Sequence, residues 1–260
     1  AMEFTAAQLA SDLRDLTVSD VTPVSLLGKW LPSENTSSKQ TRKLARDIRG
    51  SFLMTSERYR HILSKLRKRI RIVETMMSQN KWDDIEFDKL PSKAGMKYRK
   101  AFARNPVTRD KYSAFMSSKK TKVNASVLTP VDIVASAKHE FTKNMHDASR
   151  QAVNKYWDNL KDYFHGCSFN GLAVVDTSGS MRWGSYSSVE PVDVAIALGL
   201  YCADKAQGPF KNHFITFSRV PRLVEVAGVD FVGKVNSIYR NVINENTNVE
   251  AVFDLRLGSG

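Results

Sequence analysis

The stretch Leu172-Ala173-Val174-Val175-Asp176-Thr177-Ser178-Gly179-Ser180-Met181 decides the fold of the second half of this chain. A short apolar run that ends in a loop of acidic and hydroxyl residues is typical of a buried strand reaching the carboxyl edge of a sheet, where α/β folds bind ligands. The loop presents one carboxylate and two hydroxyls, at Asp176, Ser178 and Ser180. Hard oxygen ligands of this kind favour Mg²⁺, Mn²⁺ or Ca²⁺ over zinc. The stretch therefore predicts a divalent-metal site, and the alternative is a loop in which Asp176 only caps the next helix.

Apolar segments of strand type and of helix type alternate on both sides of this loop. The strands are predicted over 169–175, 213–217 and 222–226, and the helices over 192–206, 231–242 and 247–257. Strands that alternate with helices favour a mostly parallel sheet covered by helices on both faces. We therefore expect a Rossmann-like α/β domain over residues 166–260.

The loop resembles the metal-ion-dependent adhesion site of von Willebrand factor A domains. In that family a distant Thr supplies a further oxygen, and Asn246-Thr247-Asn248-Val249-Glu250-Ala251 stands where that second loop is expected. The resemblance implies a magnesium-type site with the ligands Asp176, Ser178, Ser180 and Thr247. The family's remaining ligand is an Asp at the end of a later strand, which does not occur before Gly260, so we expect a truncated domain. Such a metal leaves a position for a partner's carboxylate, which makes the site a binding device.

The first part of the chain has the periodicity of helices separated by turns. Helices are predicted over 56–79, 92–104, 106–117, 130–144 and 147–164. Pro106 and Pro130 suit a first helical turn, and Thr129 and Asp147 are expected to cap helices. We expect an all-helical domain over residues 1–165 before the α/β domain, which gives the fold class α plus α/β.

The positive charge of the chain belongs to the helical part. Residues 1–165 carry 31 Lys and Arg against 18 Asp and Glu, whereas residues 166–260 carry 8 against 9. A segregated positive field favours an anionic partner, nucleic acid first and a membrane surface second. The predicted nucleic-acid contacts are Lys65, Arg67, Lys68, Arg69, Arg71, Lys93, Lys97, Arg99, Lys100 and Arg104. The alternative is a solvated basic face that only keeps the protein soluble.

Four aromatic residues beside these cations could stack on bases: Tyr98, Phe102, Tyr112 and Phe115. Their helical spacing favours a place in the core over base stacking. We therefore assign the predicted nucleic-acid contacts to the cations alone.

Two further resemblances concern the helical part. Basic helices that lead into a von Willebrand A domain resemble the Ro ribonucleoprotein family, whose helical repeats bind RNA. The segment Lys29-Trp30-Leu31-Pro32-Ser33-Glu34-Asn35, together with Tyr98-Arg99-Lys100-Ala101-Phe102, resembles a phage and plant family without an established activity. The Ro resemblance implies RNA binding by the helices, whereas the resemblance to the phage and plant family implies a fold alone. The alternative is a metal-dependent module that engages an acidic residue of a partner protein.

Other features exclude some function classes. The two cysteines are unpatterned and no signal peptide or long apolar run is seen, which favours a cytoplasmic protein without a membrane span. No phosphate loop, Gly-x-Ser-x-Gly motif or metal-type histidine spacing occurs, so we expect a binding protein and not an enzyme. The unpaired edge of a half-built sheet would favour a homo-oligomer.

Overall fold

The computed structural model of the chain describes residues 2–18, 22, 24–70, 72–141, 143–144, 146–182, 189–241 and 246–255. The chain divides into two compact units, Ala1–Ile85 (unit 1) and Glu86–Gly260 (unit 2). None of the described helices combines the length and the apolar character that a membrane crossing needs.

Unit 1 is helical. Its helices are α1 (Met2–Val18), α2 (Leu27–Trp30), α3 (Lys39–Ser51), α4 (Ser56–Arg69) and α5 (Val73–Ser78), followed by a 3-10 turn at Trp82–Asp84. The side chains of Tyr59, Ile62, Leu63 and Leu66 on α4 recur at intervals of three and four and are buried. They pack with Leu9 of α1 and with Leu31. The core of unit 1 therefore lies along one face of α4.

The single helix predicted over 56–79 is wrong, because the structure has two helices there. Ile70 has an extended backbone, with φ −66° and ψ 114°, and ends α4. The β-branched residues Ile70, Ile72 and Val73 lower the helix propensity of this stretch. The break also allows both Ile70 and Val73 to be buried, at 4% and 3% exposure.

Among the described residues of unit 2, four α-helices precede the sheet and start at or near the predicted residues, but the last two end six residues before the predicted ends, at Lys138 and Asp158. They are α6 (Ser92–Arg104), α7 (Arg109–Ser117), α8 (Pro130–Lys138) and α9 (Ala148–Asp158). Thr129 and Asp132 form a capping box at α8, and Asp147 caps α9, as predicted. Helix α7 starts later than predicted because the Asn105 side chain accepts a hydrogen bond from the Val107 amide and holds a turn before the helix.

A three-stranded sheet follows in unit 2. Its strands are β1 (Ala173–Asp176), β2 (His213–Phe217) and β3 (Leu223–Glu225), with α10 (Pro191–Lys205), α11 (Phe231–Asn241) and α12 (Val249–Asp254) between and after them. The order is β1-β2-β3. β1 and β2 are parallel, whereas β2 and β3 are antiparallel. The sheet is therefore mixed and not mostly parallel. The segment between β2 and β3 is too short for the crossover that a parallel neighbour needs.

The fold class α plus α/β is confirmed at this level, and the helices from α6 to α9 share one compact unit with the sheet. Helix α10 packs on β1 and β2 on one side and against α8 on the other. The close approach of α10 to β1 depends on Gly199. A Cβ atom at that position would lie 2.3 Å from Cγ2 of Val175.

Replacing Gly199 should therefore loosen the helix from the strand. We expect Gly199→Val to lower the free energy of unfolding by about 2 kcal/mol, because the added methyl groups overpack the contact with Val175. Gly50→Val in α3 is the control, since a Cβ atom at Gly50 would meet nothing within 4 Å, and its effect should stay within about 0.5 kcal/mol. Urea denaturation measures both, and equal midpoints for the two variants would contradict the packing argument.

Candidate functional site

The Asp176 loop lies at the carboxyl end of β1, where the sequence places it. Asp176 pairs in parallel with Phe217 at the end of β2. Its Oδ1 atom accepts a hydrogen bond of 2.9 Å from the Ser178 amide. The hydroxyl oxygens of Ser178 and Ser180 lie 3.1 Å apart. The structure therefore brings three of the four predicted metal ligands together.

The distance between the two serine hydroxyls is compatible both with a hydrogen bond and with two neighbouring ligands of a small divalent cation. Adjacent ligands of an octahedral Mg²⁺ lie about 2.9 Å from each other, close to the 3.1 Å between the two serine hydroxyls. Thr177 is 1% exposed, and its hydroxyl has no hydrogen-bond partner in the part of the chain that the structure describes. A buried hydroxyl without a hydrogen-bond partner is uncommon in proteins.

Thr247, the fourth predicted ligand, is not joined to this loop. It is exposed and precedes α12, which packs against β2. Among the described residues no hydrogen bond connects Thr247 with Asp176, Ser178 or Ser180. No group of three His, Cys, Asp or Glu side chains forms a metal site within the described ranges either. A cation at the loop would therefore depend on one carboxylate and on hydroxyl oxygens.

A groove of about 810 Å³ in unit 1 gathers part of the predicted basic cluster. We call it the cationic groove; it is lined by Leu13, Leu16, Thr17, Arg58, His61, Ile62, Lys65, Lys68, Arg69, Ile70, Thr75, Met76, Gln79, Lys81 and Asp84. Its basic side chains outnumber its one carboxylate, at Asp84, and its floor includes Ile62 and Ile70 of the unit 1 core. The groove therefore combines a positive field with an apolar surface.

The side chain of Arg67 does not line the cationic groove and is hydrogen-bonded within unit 1. Its Nε donates to the Gly28 carbonyl at 3.0 Å, and its Nη2 donates to the Leu31 carbonyl at 2.7 Å. Its Nη1 donates to the Ser33 hydroxyl at 2.7 Å. This side chain holds the chain before Glu34 against α4, so it has a structural role besides its charge.

The predicted contacts on α6 separate into two groups. Lys93, Lys97 and Arg104 are exposed, whereas Arg99 is 7% exposed. The Arg99 guanidinium donates to Glu140 at 3.1 Å and to the Met96 carbonyl at 2.8 Å. Lys100 also leans toward Glu140, at 3.6 Å. Arg99 is therefore an internal ion-pair partner and not a surface contact, which corrects the sequence-based assignment.

Arg71 and the four aromatic residues are the remaining side chains considered as nucleic-acid contacts. Arg71 lies outside the described residues. Two of the four aromatic residues are in the core, as the spacing favoured: Phe102 and Tyr112 are 0% exposed and their rings are 5.4 Å apart. Tyr98 and Phe115 are only half-buried.

Two groove cations, Arg58 and Lys81, are not among the predicted nucleic-acid contacts. Arg58 was detectable, because Arg58, His61, Lys65 and Lys68 follow each other at intervals of three and four and so share one helical face. The internal place of Arg99 was detectable in the same way, since Met96, Arg99 and Phe102 lie three residues apart on the buried stripe. Lys81 gave no such signal, because its place depends on the break after Ile70.

Comparisons with known proteins match the whole length of the chain without naming an activity. A domain of unknown function, DUF2828, matches residues 2–165, and a second domain of unknown function, DUF7788, matches residues 170–258. The uncharacterised protein L728 of Acanthamoeba polyphaga mimivirus is 33% identical over an alignment 272 positions long, which covers 97% of this chain and 46% of that protein. The chain therefore spans about half the length of this relative. No solved structure matches it significantly.

The internal role of Arg99 gives a direct prediction. We expect Arg99→Met to lower the free energy of unfolding by about 3 kcal/mol, because the buried carboxylate of Glu140 loses its closest cation and keeps only Ser149 and the more distant Lys100. Lys97→Met, two residues away on the exposed face, should change it by less than about 0.5 kcal/mol. Thermal unfolding of both variants measures the loss of stability. Equal stability of the two variants would contradict the internal ion-pair role of Arg99.

Proposed function

The chain belongs to the DUF2828 family, and from this premise we propose that it is a non-enzymatic protein that binds RNA through the cationic groove of unit 1. The observation that carries the proposal is the lining of the groove. Arg58, Lys65, Lys68, Arg69 and Lys81 supply positive charge beside a single carboxylate, Asp84. Contacts of Lys and Arg with phosphates supply most of the affinity for nucleic acid through counterion release.

The apolar floor supports an RNA strand with unpaired bases as the ligand. Leu13 and Leu16 of α1 and Ile62, Ile70 and Met76 line the groove between its cations. Bases of single-stranded segments can reach such a surface, whereas bases inside a duplex are stacked and hidden. The resemblance to the Ro family favours RNA over DNA. Lys93, Lys97 and Arg104 on α6 stay predictions as additional contacts.

The groove cations should determine affinity and its salt dependence. We expect Lys65→Gln/Lys68→Gln to weaken binding of an unpaired RNA and to reduce the slope of log affinity against log salt by about 1.4, since two phosphate contacts are lost. Fluorescence anisotropy of a labelled RNA across a salt series measures both quantities.

Two matched double variants complete this experiment. Lys39→Gln/Lys43→Gln on α3 removes the same charge from exposed positions outside the groove and should leave the slope unchanged. Lys93→Gln/Lys97→Gln tests whether the exposed lysines of α6 also contact RNA. Equal losses in all three variants would indicate a general attraction of the positive field and would contradict a groove site.

A second candidate function concerns the Asp176 loop. We propose that the residues from 166 onward begin a von Willebrand A-type fold and that the loop binds a divalent cation. Support comes from the order of β1, acidic loop, α10 and parallel β2, and from the 3.1 Å between the hydroxyls of Ser178 and Ser180. Asp176, Ser178 and Ser180 would hold the ion. A bound Mg²⁺ would offer a coordination position to an acidic residue of a partner protein.

Metal titration separates this candidate from the first. We expect Asp176→Ala to abolish binding of Mn²⁺, used as a probe for Mg²⁺, because the loop loses its only carboxylate. Asp110→Ala, at an exposed position on α7, should leave binding unchanged. Isothermal titration calorimetry measures the affinity. RNA binding should be unaffected by Asp176→Ala, whereas equal Mn²⁺ binding by both variants would contradict the metal assignment.

A further inference from the structure

A second pocket of unit 1 lies beside the segment Lys29–Asn35. We call it the Ser33 pocket; it has a volume of about 340 Å³ and is lined by Ser33, Glu34, Asn35, Arg60, Leu63, Ser64 and Arg67. This volume is at the small end of the range for small-molecule sites. The pocket therefore suits one small ligand or one unit of a polymer.

The backbone beside the pocket is fixed to α4. Arg67 donates to the carbonyls of Gly28 and Leu31, and the Tyr59 hydroxyl donates to the Pro32 carbonyl at 2.9 Å. A Cβ atom at Gly28 would lie 2.6 Å from Cβ of Leu66, so this backbone approaches α4 closely. The segment is thus held in place before its side chains meet a ligand.

Glu34, the one acidic residue of the pocket, is occupied by internal partners. The Ser56 hydroxyl bonds one carboxylate oxygen, and Nε of Arg49 donates to the other at 2.8 Å. The hydrogen bond from Ser56, together with Arg49, holds the pKa of Glu34 below its ordinary value. The carboxylate is therefore ionised, and its charge is neutralised by Arg49, which does not line the pocket. The charges of Arg60 and Arg67 remain in excess.

Several hydrogen-bond donors of the pocket are open to a ligand. A guanidinium has five N–H groups, and Arg67 uses three of them in the contacts described above. The Ser33 hydroxyl accepts from Arg67, so its own proton can be donated. Arg60 is exposed, and its one hydrogen bond among the described residues is a long one of 3.4 Å to the Ser56 carbonyl; its charge also contributes to the lowered pKa of Glu34. Two guanidinium groups with serine hydroxyls are the donor set that binds phosphate.

Trp30 precedes the pocket residue Ser33 by three positions and is exposed to solvent. Its side chain is 75% exposed, although Arg67 fixes the carbonyls of Gly28 and Leu31 on either side of it. Nζ of Lys29 lies 5.7 Å from the centre of the indole ring. A large aromatic side chain on a fixed backbone is a stacking surface that loses little entropy on binding.

We propose that the Ser33 pocket binds the phosphate of a nucleotide and that Trp30 stacks on its base. Trp30 and Ser33 are three residues apart, so their backbones lie within about 10 Å of each other. A nucleotide carries its base and its phosphate on one ribose within this distance. The ligand is a free nucleotide or the terminal nucleotide of an RNA strand, because both present the same chemistry.

This site is separate from the cationic groove and does not rest on it. Arg58 lines the groove and Arg60 lines the Ser33 pocket. Residues two positions apart on a helix point in directions about 200° apart. The two arginines are therefore a matched pair that tests the two sites independently.

Adenosine monophosphate is the probe, and its binding to the full chain is followed by calorimetry and by tryptophan fluorescence. We expect Arg60→Gln to weaken binding about tenfold, because a charge-assisted hydrogen bond is lost. Arg58→Gln should leave this affinity within twofold while it weakens RNA binding in the groove. Both arginines are exposed, so both variants should keep the wild-type unfolding temperature.

Trp30→Ala separates stacking from phosphate binding. It should weaken binding of adenosine monophosphate but leave binding of inorganic phosphate unchanged, whereas Arg60→Gln should weaken both. A strand with a 5′-phosphate that competes more strongly than the free nucleotide would identify an RNA end as the ligand.

Three results would overturn the proposal. The first is no binding of adenosine monophosphate at millimolar concentration. The second is an equal loss in Arg58→Gln and Arg60→Gln, which would indicate general attraction. The third is a glutamate-rich peptide that displaces the nucleotide and binds more tightly, which would assign the pocket to an acidic protein segment. None of these results would affect RNA binding in the groove.

Discussion

The structure of unit 2 depends on the carboxylate of Asp230. Arg150 of α9 donates to it through Nε at 2.9 Å and Nη2 at 2.8 Å, and Asn154 donates at 2.9 Å. The amide of Gly233, in the first turn of α11, adds a bond of 2.7 Å. Burial raises the pKa of Asp230, but these hydrogen bonds outweigh burial and hold its pKa below the ordinary value. Helix α9 is thereby fixed to the start of α11 by a charged group that stays ionised at neutral pH.

The buried carboxylate of Asp193 connects helices of unit 2 to the part of the chain that follows the Asp176 loop. Asp193 of α10 is 2% exposed and accepts from Lys138 of α8 at 2.8 Å and from the Tyr239 hydroxyl of α11. Because α10 also packs on β1, these contacts fix the position of the helix that follows the Asp176 loop. Three strands alone bury little apolar area. Helix α10 packs on the sheet, α8 packs on α10 and α11, α9 packs on α8 and α11, and α6 and α7 pack on α9. This explains why the compact unit includes them although separate families match the two parts.

The sequence predicts structural features that depend on neighbouring residues. It misses features that depend on contacts between residues far apart in the chain. The strand before Asp176, the bounds of α6 and the caps at Thr129 and Asp147 follow from periodicity and capping, and the structure has them. The end of α8 and the break after Ile70 depend on which side chains find a place in the core. The antiparallel β3 was predictable from the short connection, since so few residues cannot form a crossover. The place of Thr247 relative to Asp176 is a matter of tertiary structure, and local patterns do not determine it.

The basic residues show why a net charge is a weak guide to a binding surface. Arg99 and Arg150 form ion pairs with Glu140 and Asp230 inside unit 2. Lys155 is buried and donates to backbone carbonyls, including Phe115 at 3.1 Å, and burial lowers the pKa of this lysine. What matters for an anionic ligand is therefore the set of cations that remain at the surface. On α4 this set is divided by the helical period into two faces, one along the cationic groove and one along the Ser33 pocket, with the core stripe between them. One helix can thus hold the core of unit 1 together and still present positive charge to two separate ligands.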